Sequence, residues 1–139
     1  MASLVGSSAK QAFAKAQINW ESADIRVALS TGYSFNVDTD QYLSAITNEC
    51  VGTGYVRKAL TTKTATLVTG GVQLKADDAT WTGANFGSPA VAVIYLYNAG
   101  GDGASLIIGA LTPNVIPTNP GDYTIKWNNA ATNGALFTM

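Results

Sequence analysis

Five groups of residues in this chain have the types and spacing that could support chemistry. Asn36, Asp38 and Asp40 present side-chain oxygens at the alternate positions that open an EF-hand calcium loop. That loop also needs a glycine at its sixth position and a bidentate glutamate at its twelfth, and the chain places Gln41 and Thr47 there, so the triplet reads as turn and helix-cap chemistry. Gly52 and Gly54 begin like a dinucleotide fingerprint, but Arg57 stands where the third glycine belongs and a strand pattern follows, which leaves a turn. Glu49 and the pair Asp77 and Asp78 are the carboxylates available for acid–base work, and the Asp pair lies between strand signals, where aspartate builds turns. Trp20, Trp81 and Trp127 have the flat faces that stack on sugars, although each sits near a strand-like segment where tryptophan commonly packs. Cys50 is the single cysteine and there is no histidine. Internal disulfides, His-based triads and multi-Cys/His zinc sites are therefore excluded. No catalytic site and no cofactor is expected.

The elements that would position these residues are mostly strands. Residues 24–30 alternate Ile25, Val27 and Leu29 with small or polar partners, the period of a half-buried strand. Alternation returns over 55–60, and residues 64–68 and 72–75 flank Gly70 and Gly71 as a hairpin. Residues 79–82 read as a short strand. The apolar run 90–97, with Val93 and Ile94, suits a central strand covered on both faces. Residues 105–111 with Ile107, then 122–127 and 135–139, complete the set, with Pro113, Pro117 and Pro120 forcing an irregular crossing. Thr39 or Asp40 is placed to cap a helix carrying Tyr42, Leu43 and Ile46 inward. Ser8 and Gln11 have the spacing of a capping box for a helix over roughly 8–17, with Ala9, Phe13 and Ala16 on one face.

The expected fold is mainly β, an antiparallel β-sandwich or barrel-like domain with one or two short helices. Residues 1–18 are expected to be an arm or short helix and residues 19–139 a single β domain. The expected core comprises Trp20, Ile25, Val27, Leu29, Trp81, Val93, Ile94, Ile107 and Trp127. Leu4, Val5 and Phe13 are apolar near a terminus and are the candidate assembly contacts.

Composition narrows the function class. Charged residues are 12% of the 139, against about 25% in ordinary globular domains. Hydroxyls, amides and glycine replace them, and a neutral polar surface costs far less to dehydrate against a partner than an ionised one. The eight basic residues are scattered and net charge is −1, so the footprint for nucleic acid is missing. The first residues hold no apolar stretch of signal-peptide length and nothing approaches a membrane span, which fits assembly in a reducing cytoplasm.

The order of segments resembles a family of small structural proteins of tailed bacteriophages. The likeness is carried by Asp24-Ile-Arg-Val-Ala-Leu, Tyr42-Leu-Ser-Ala-Ile, Glu49 followed by Gly54-Tyr55-Val-Arg57 and Leu60, and Ala76-Asp77-Asp78-Ala-Thr-Trp81-Thr. Ala92-Val-Ile-Tyr95 and Gly121-Asp122-Tyr-Thr-Ile-Lys-Trp127-Asn128 continue it. The resemblance implies a non-enzymatic virion protein, a capsid decoration (cement) protein or head-fibre base, on the capsid surface. Its expected partners are the major capsid protein and two further copies in a homotrimer, with no nucleic acid and no membrane. The last residues, from Thr132, show no fibre extension and favour the decoration form. A neck or tail component and a module that binds a host-surface glycan are the alternatives.

Overall fold

In the computed structural model the described residues are 3–113, 121–127 and 135–139. Strand occupies 42% and helix 9%, which makes the protein mainly β. The strands are β1 (Ser3–Val5), β2 (Ile25–Ser30), β3 (Lys58–Ala59), β4 (Thr64–Val68), β5 (Gly71–Lys75), β6 (Ala79–Ala84), β7 (Val91–Leu96), β8 (Leu106–Leu111), β9 (Gly121–Ile125) and β10 (Ala135–Thr138), with one helix, α1 (Ser7–Ala14). They form a five-stranded sheet in the order β1-β8-β7-β2-β3, a three-stranded sheet β10-β5-β4 and a ribbon β6-β9. Every pairing is antiparallel, so the arrangement is β-sandwich-like.

The large sheet is buried on both faces. Ile25, Val27 and Leu29 of β2, with Ala92 and Ile94 of β7 and Ile108 and Leu111 of β8, face the main core. The smaller sheets complete that core with Leu74, Trp81, Tyr123, Ile125, Leu136 and Phe137. The alternate residues Ala28, Val93, Tyr95, Ile107 and Ala110 face a second core, closed by Tyr33 and Leu43 with Phe35 and Ile46 from the loop over residues 31–47. β7 lies third of five and carries apolar residues on both of its faces, as its unbroken apolar run predicted. Each large side chain so buried contributes roughly 1.5–3 kcal/mol. Trp20, Ile25, Val27, Leu29, Trp81, Val93, Ile94, Ile107 and Trp127 are all buried, with Val93 and Ile107 on the second face.

At the middle of β8 the register against β7 slips, so that Ile108 is extra between the pairs Ile94–Gly109 and Tyr95–Ile107. Such a bulge turns two neighbouring residues to one side. Gly109 is bare there for a reason: a Cβ would meet the Leu4 carbonyl oxygen and come within 2.8 Å of the Phe137 ring. This close approach lets β1 pair with β8 above Phe137.

Four elements differ from their sequence pattern. Leu4 and Val5, expected within an arm or helix, lie in β1, an edge strand of the large sheet. The helix begins at Ser7, one residue before the expected capping box, and its N-cap is Gly6, with no side-chain cap. It also ends at Ala14, so Ala16 is not on its face. Ala16 instead takes φ +58°, while its N–H donates to the Phe13 carbonyl (3.1 Å) and the Gln17 N–H to the Ala12 carbonyl (2.8 Å). These two bonds are a Schellman stop, built on alanine where glycine is usual. The helix expected after Asp40 is one turn of 3-10 helix at Leu43–Ala45 with Tyr42 exposed, because the Asp40 carboxylate is taken by the Tyr33 hydroxyl (2.6 Å) and the Asn36 N–H (3.0 Å). The strand expected over 55–60 shrinks to Lys58–Ala59, since the Val56 carbonyl accepts from the Trp81 indole instead of a neighbouring strand. The crossing expected at Pro117 and Pro120, and the resemblance at Asn128, lie outside the described residues.

Glycine reaches the left-handed region without the steric cost that a Cβ imposes, about 1 kcal/mol at a single residue. Ala16→Gly should therefore raise stability by roughly 0.5–1 kcal/mol, less some unfolded-state entropy. A urea melt would read it as a higher midpoint at unchanged slope; a lower midpoint would contradict the Schellman assignment.

Candidate functional site

The densest polar grouping lies on the second face of the large sheet, beside Tyr95. Glu49 is bridged to Ser30 at the end of β2. Arg57 comes from the loop before β3, and Asp102 from the glycine-rich turn between β7 and β8. The Arg57 guanidinium donates to both carboxylates: Nε and Nη2 to Glu49 (2.8 Å each), Nη1 and Nη2 to Asp102 (2.7 and 3.0 Å). The Tyr55 hydroxyl donates to Glu49 (2.5 Å) and accepts the Leu29 N–H (3.1 Å). Beside this clasp Arg26 stacks 3.6 Å above the Tyr97 ring and pairs with Asp24 at 2.9 Å. The two arginines, Tyr95, Tyr97, Asp102 and Ser105 line a cavity of about 150 Å³.

Electrostatics make this a clasp and not a reactive centre. Burial alone would raise the Glu49 carboxyl, but hydrogen bonds from Arg57 and Tyr55 and the guanidinium charge outweigh it and hold the group below its usual range. Asp102 is lowered by its Arg57 hydrogen bonds against a smaller burial cost. Burial, then the bond to Glu49, pushes the Tyr55 phenol well above its ordinary value, so it stays a donor. Glu49 is thus held ionised and saturated with donors, the wrong state for a general base poised near neutrality. Two guanidinium groups face three carboxylates here, so the cavity offers no positive field for an anion. Burial likewise raises the Cys50 thiol to about 11, which leaves it protonated and unreactive.

The other sequence candidates are dispersed. Asn36 accepts the N–H groups of Asp38 and Thr39 in an Asx turn, and Asp38 accepts the Ser7 hydroxyl (2.7 Å). Asp77 and Asp78 are exposed between β5 and β6. Among the described residues no three His, Cys, Asp or Glu side chains converge as metal ligands, and no helix is long and apolar enough to cross a membrane. Of the candidate assembly contacts, Val5 and Phe13 are half-buried against the main core. Leu4 is 52% exposed on the rim of an apolar groove of about 200 Å³ formed with Tyr33, Phe35, Val91 and Leu111. Sequence reasoning passed over three further surface residues: Val51 (85% exposed), Leu67 (84%) and Val56 (59%). Leu67 sits in an ordinary alternating strand, and only the absence of a covering layer reveals it.

Removing Arg57 leaves two half-buried carboxylates facing one another. Arg57→Met should cost about 2 kcal/mol at pH 7, between the values typical of exposed and fully buried pairs. The sign with pH follows from the depressed carboxylates. Their stabilisation is complete above their ordinary values of 4.5 and 3.8 and is lost as pH falls through the lower folded-state values. Denaturant melts should accordingly show the gap between wild type and Arg57→Met narrowing below pH 4.5; a constant gap would show that the loss is packing alone. Compared with known proteins, the chain matches no family model, no curated protein and no solved structure.

Proposed function

We propose that this protein is a non-enzymatic assembly module, a decoration (cement) protein for the outer face of an expanded tailed-phage head. One observation carries the reading: Leu4, Val51 and Val56 stand out from a surface poor in charge. Large aliphatic side chains in such a setting are cheap to dehydrate and gain by being covered. The segment order that resembles small phage structural proteins suggests the partner class, the major capsid protein, and implies a homotrimer assembled on the head.

The glycan reading draws less support. Trp20, Trp81 and Trp127 are 3%, 0% and 0% exposed and cannot offer a face to a sugar. Tyr97 is partly exposed, but Arg26 already lies over its ring. The chemistry of the clasp also points to a scaffold, because its charges are spent on one another.

The mechanism is mass action. A protein that binds the closed, expanded shell and not its dissociated subunits stabilises the shell by its binding free energy. A trimer repeats each weak contact three times and gains through effective concentration.

The test is co-sedimentation with expanded, undecorated heads of the phage that encodes the protein, with bound copies counted. Saturation at hundreds of copies is expected, followed by heads that survive heating that ruptures bare ones. A Val51→Asp, Val56→Asp double variant should bind at least tenfold more weakly with an unchanged melting temperature, a loss of about 1.4 kcal/mol or more. Saturation at a few copies would mean a neck or tail position. No binding to heads would overturn the decoration role.

A further inference from the structure

We propose that the free edge of β4 is a strand-addition site for a second copy of this chain, and that Glu21 competes for it. Among the described strands β4 is the outer member of its sheet, and Thr64, Ala65, Thr66 and Leu67 are all exposed. In an antiparallel ladder the backbone groups of successive residues point alternately to the two sides of the strand. Val72 exchanges both of its bonds with Met139, toward β10 (2.8 Å each). Its partner across β4–β5 is Leu67, whose N–H and carbonyl therefore point away from β5. Ala65 has the same parity, and its N–H does point outward: it donates to the Glu21 carboxylate at 3.2 Å. The edge thus presents two outward rungs, one of them held by a carboxylate that mimics an incoming strand.

The strand is fitted to its own copy. A two-fold axis through Thr66 would set Ala65 opposite the partner copy's Leu67 and Leu67 opposite its Ala65, with both outward rungs closing as hydrogen-bonded pairs. Self-pairing about an axis sets each charge near its duplicate, and residues 64–68 carry none. Lys63 would fall opposite Thr69. Both strand faces are exposed, so Leu67 gains cover from the partner copy's hairpin. A five-residue pairing buries less than the roughly 1,000 Å² of a stable interface, so the dimer is weak and Glu21 shifts its balance. Natural sheets use charged side chains in this way to restrain open edges.

Sedimentation across a concentration series tests this with no capsid present, so its result is separate from head binding. Glu21→Ala frees the Ala65 N–H and should tighten the dimer about tenfold, with Glu21→Gln intermediate because it keeps an acceptor without the charge. Thr66 occupies the close, non-hydrogen-bonded position on the axis, where side chains meet across strands. Thr66→Lys alone and Thr66→Glu alone should each be monomeric, and their equimolar mixture should form dimers again. Melting temperatures serve as the check that each variant is folded. An unchanged dissociation constant in Glu21→Ala, or a mixture that stays monomeric, overturns the proposal.

Discussion

Burial of the large sheet on both faces is the constraint from which the rest of the structure follows. β2, β7 and β8 carry apolar residues at successive positions, so neither face can be left to water. One face is closed by β5, β6 and β9, which need only one apolar side each, and by β10, which buries Ala135, Leu136 and Phe137 in succession. Among the described residues no second sheet closes the other face. It is closed by a loop, and a loop can bury apolar side chains only if its own backbone groups find partners.

The polar residues are placed to meet that need. Ser30 is fully buried, yet its hydroxyl donates to the Thr47 carbonyl and accepts the N–H groups of Gly32 and Tyr33. Asp40 holds Tyr33 and Asn36; Leu43 donates to the Ser105 carbonyl and Ile107 to the Gln41 carbonyl. Arg57 then ties the segment after the loop to the β7–β8 turn through Glu49 and Asp102. A chain with few charges has used several of its carboxylates to pin one cover, which is why the groups best suited to chemistry are no longer free to perform it.

Much of this was legible in the sequence, for reasons that explain where it stopped. The alternation of Ile25, Val27 and Leu29 and the unbroken run around Val93 and Ile94 are direct consequences of one-sided and two-sided burial. Gly70 marked the β4–β5 hairpin because its φ of +83° suits glycine. What failed was whatever depended on a distant partner. Asp40 is the local exception: it has the form of a helix cap, but its partners Tyr33 and Asn36 precede it by seven and four residues, where capping patterns do not look. Asp102 lies 45 residues from Arg57, inside a glycine-rich turn where an aspartate is ordinary turn chemistry. Leu4 and Val5 read as an arm because the strand they pair with, β8, is about a hundred residues away. The mainly β architecture is in the fold, while the virion role remains a proposal that rests on the surface argument.

The open edges show how a charge-poor sheet protein differs from an ordinary soluble one. β1 is three residues long, and β3 is two and carries Lys58, so both are short in the way that discourages pairing. β4 is five residues, uncharged and exposed on both faces, with Glu21 at one of its rungs. A protein selected only to stay apart from its neighbours gains by a lysine in β4 at no cost to the core, since none of its first four residues is buried. Retaining threonine, alanine and leucine there, with one competing carboxylate from elsewhere in the chain, keeps pairing available while limiting its strength. Val51 and Val56 are alike in this: their exposure contributes nothing to the folded monomer, and the proposed capsid contact would cover them.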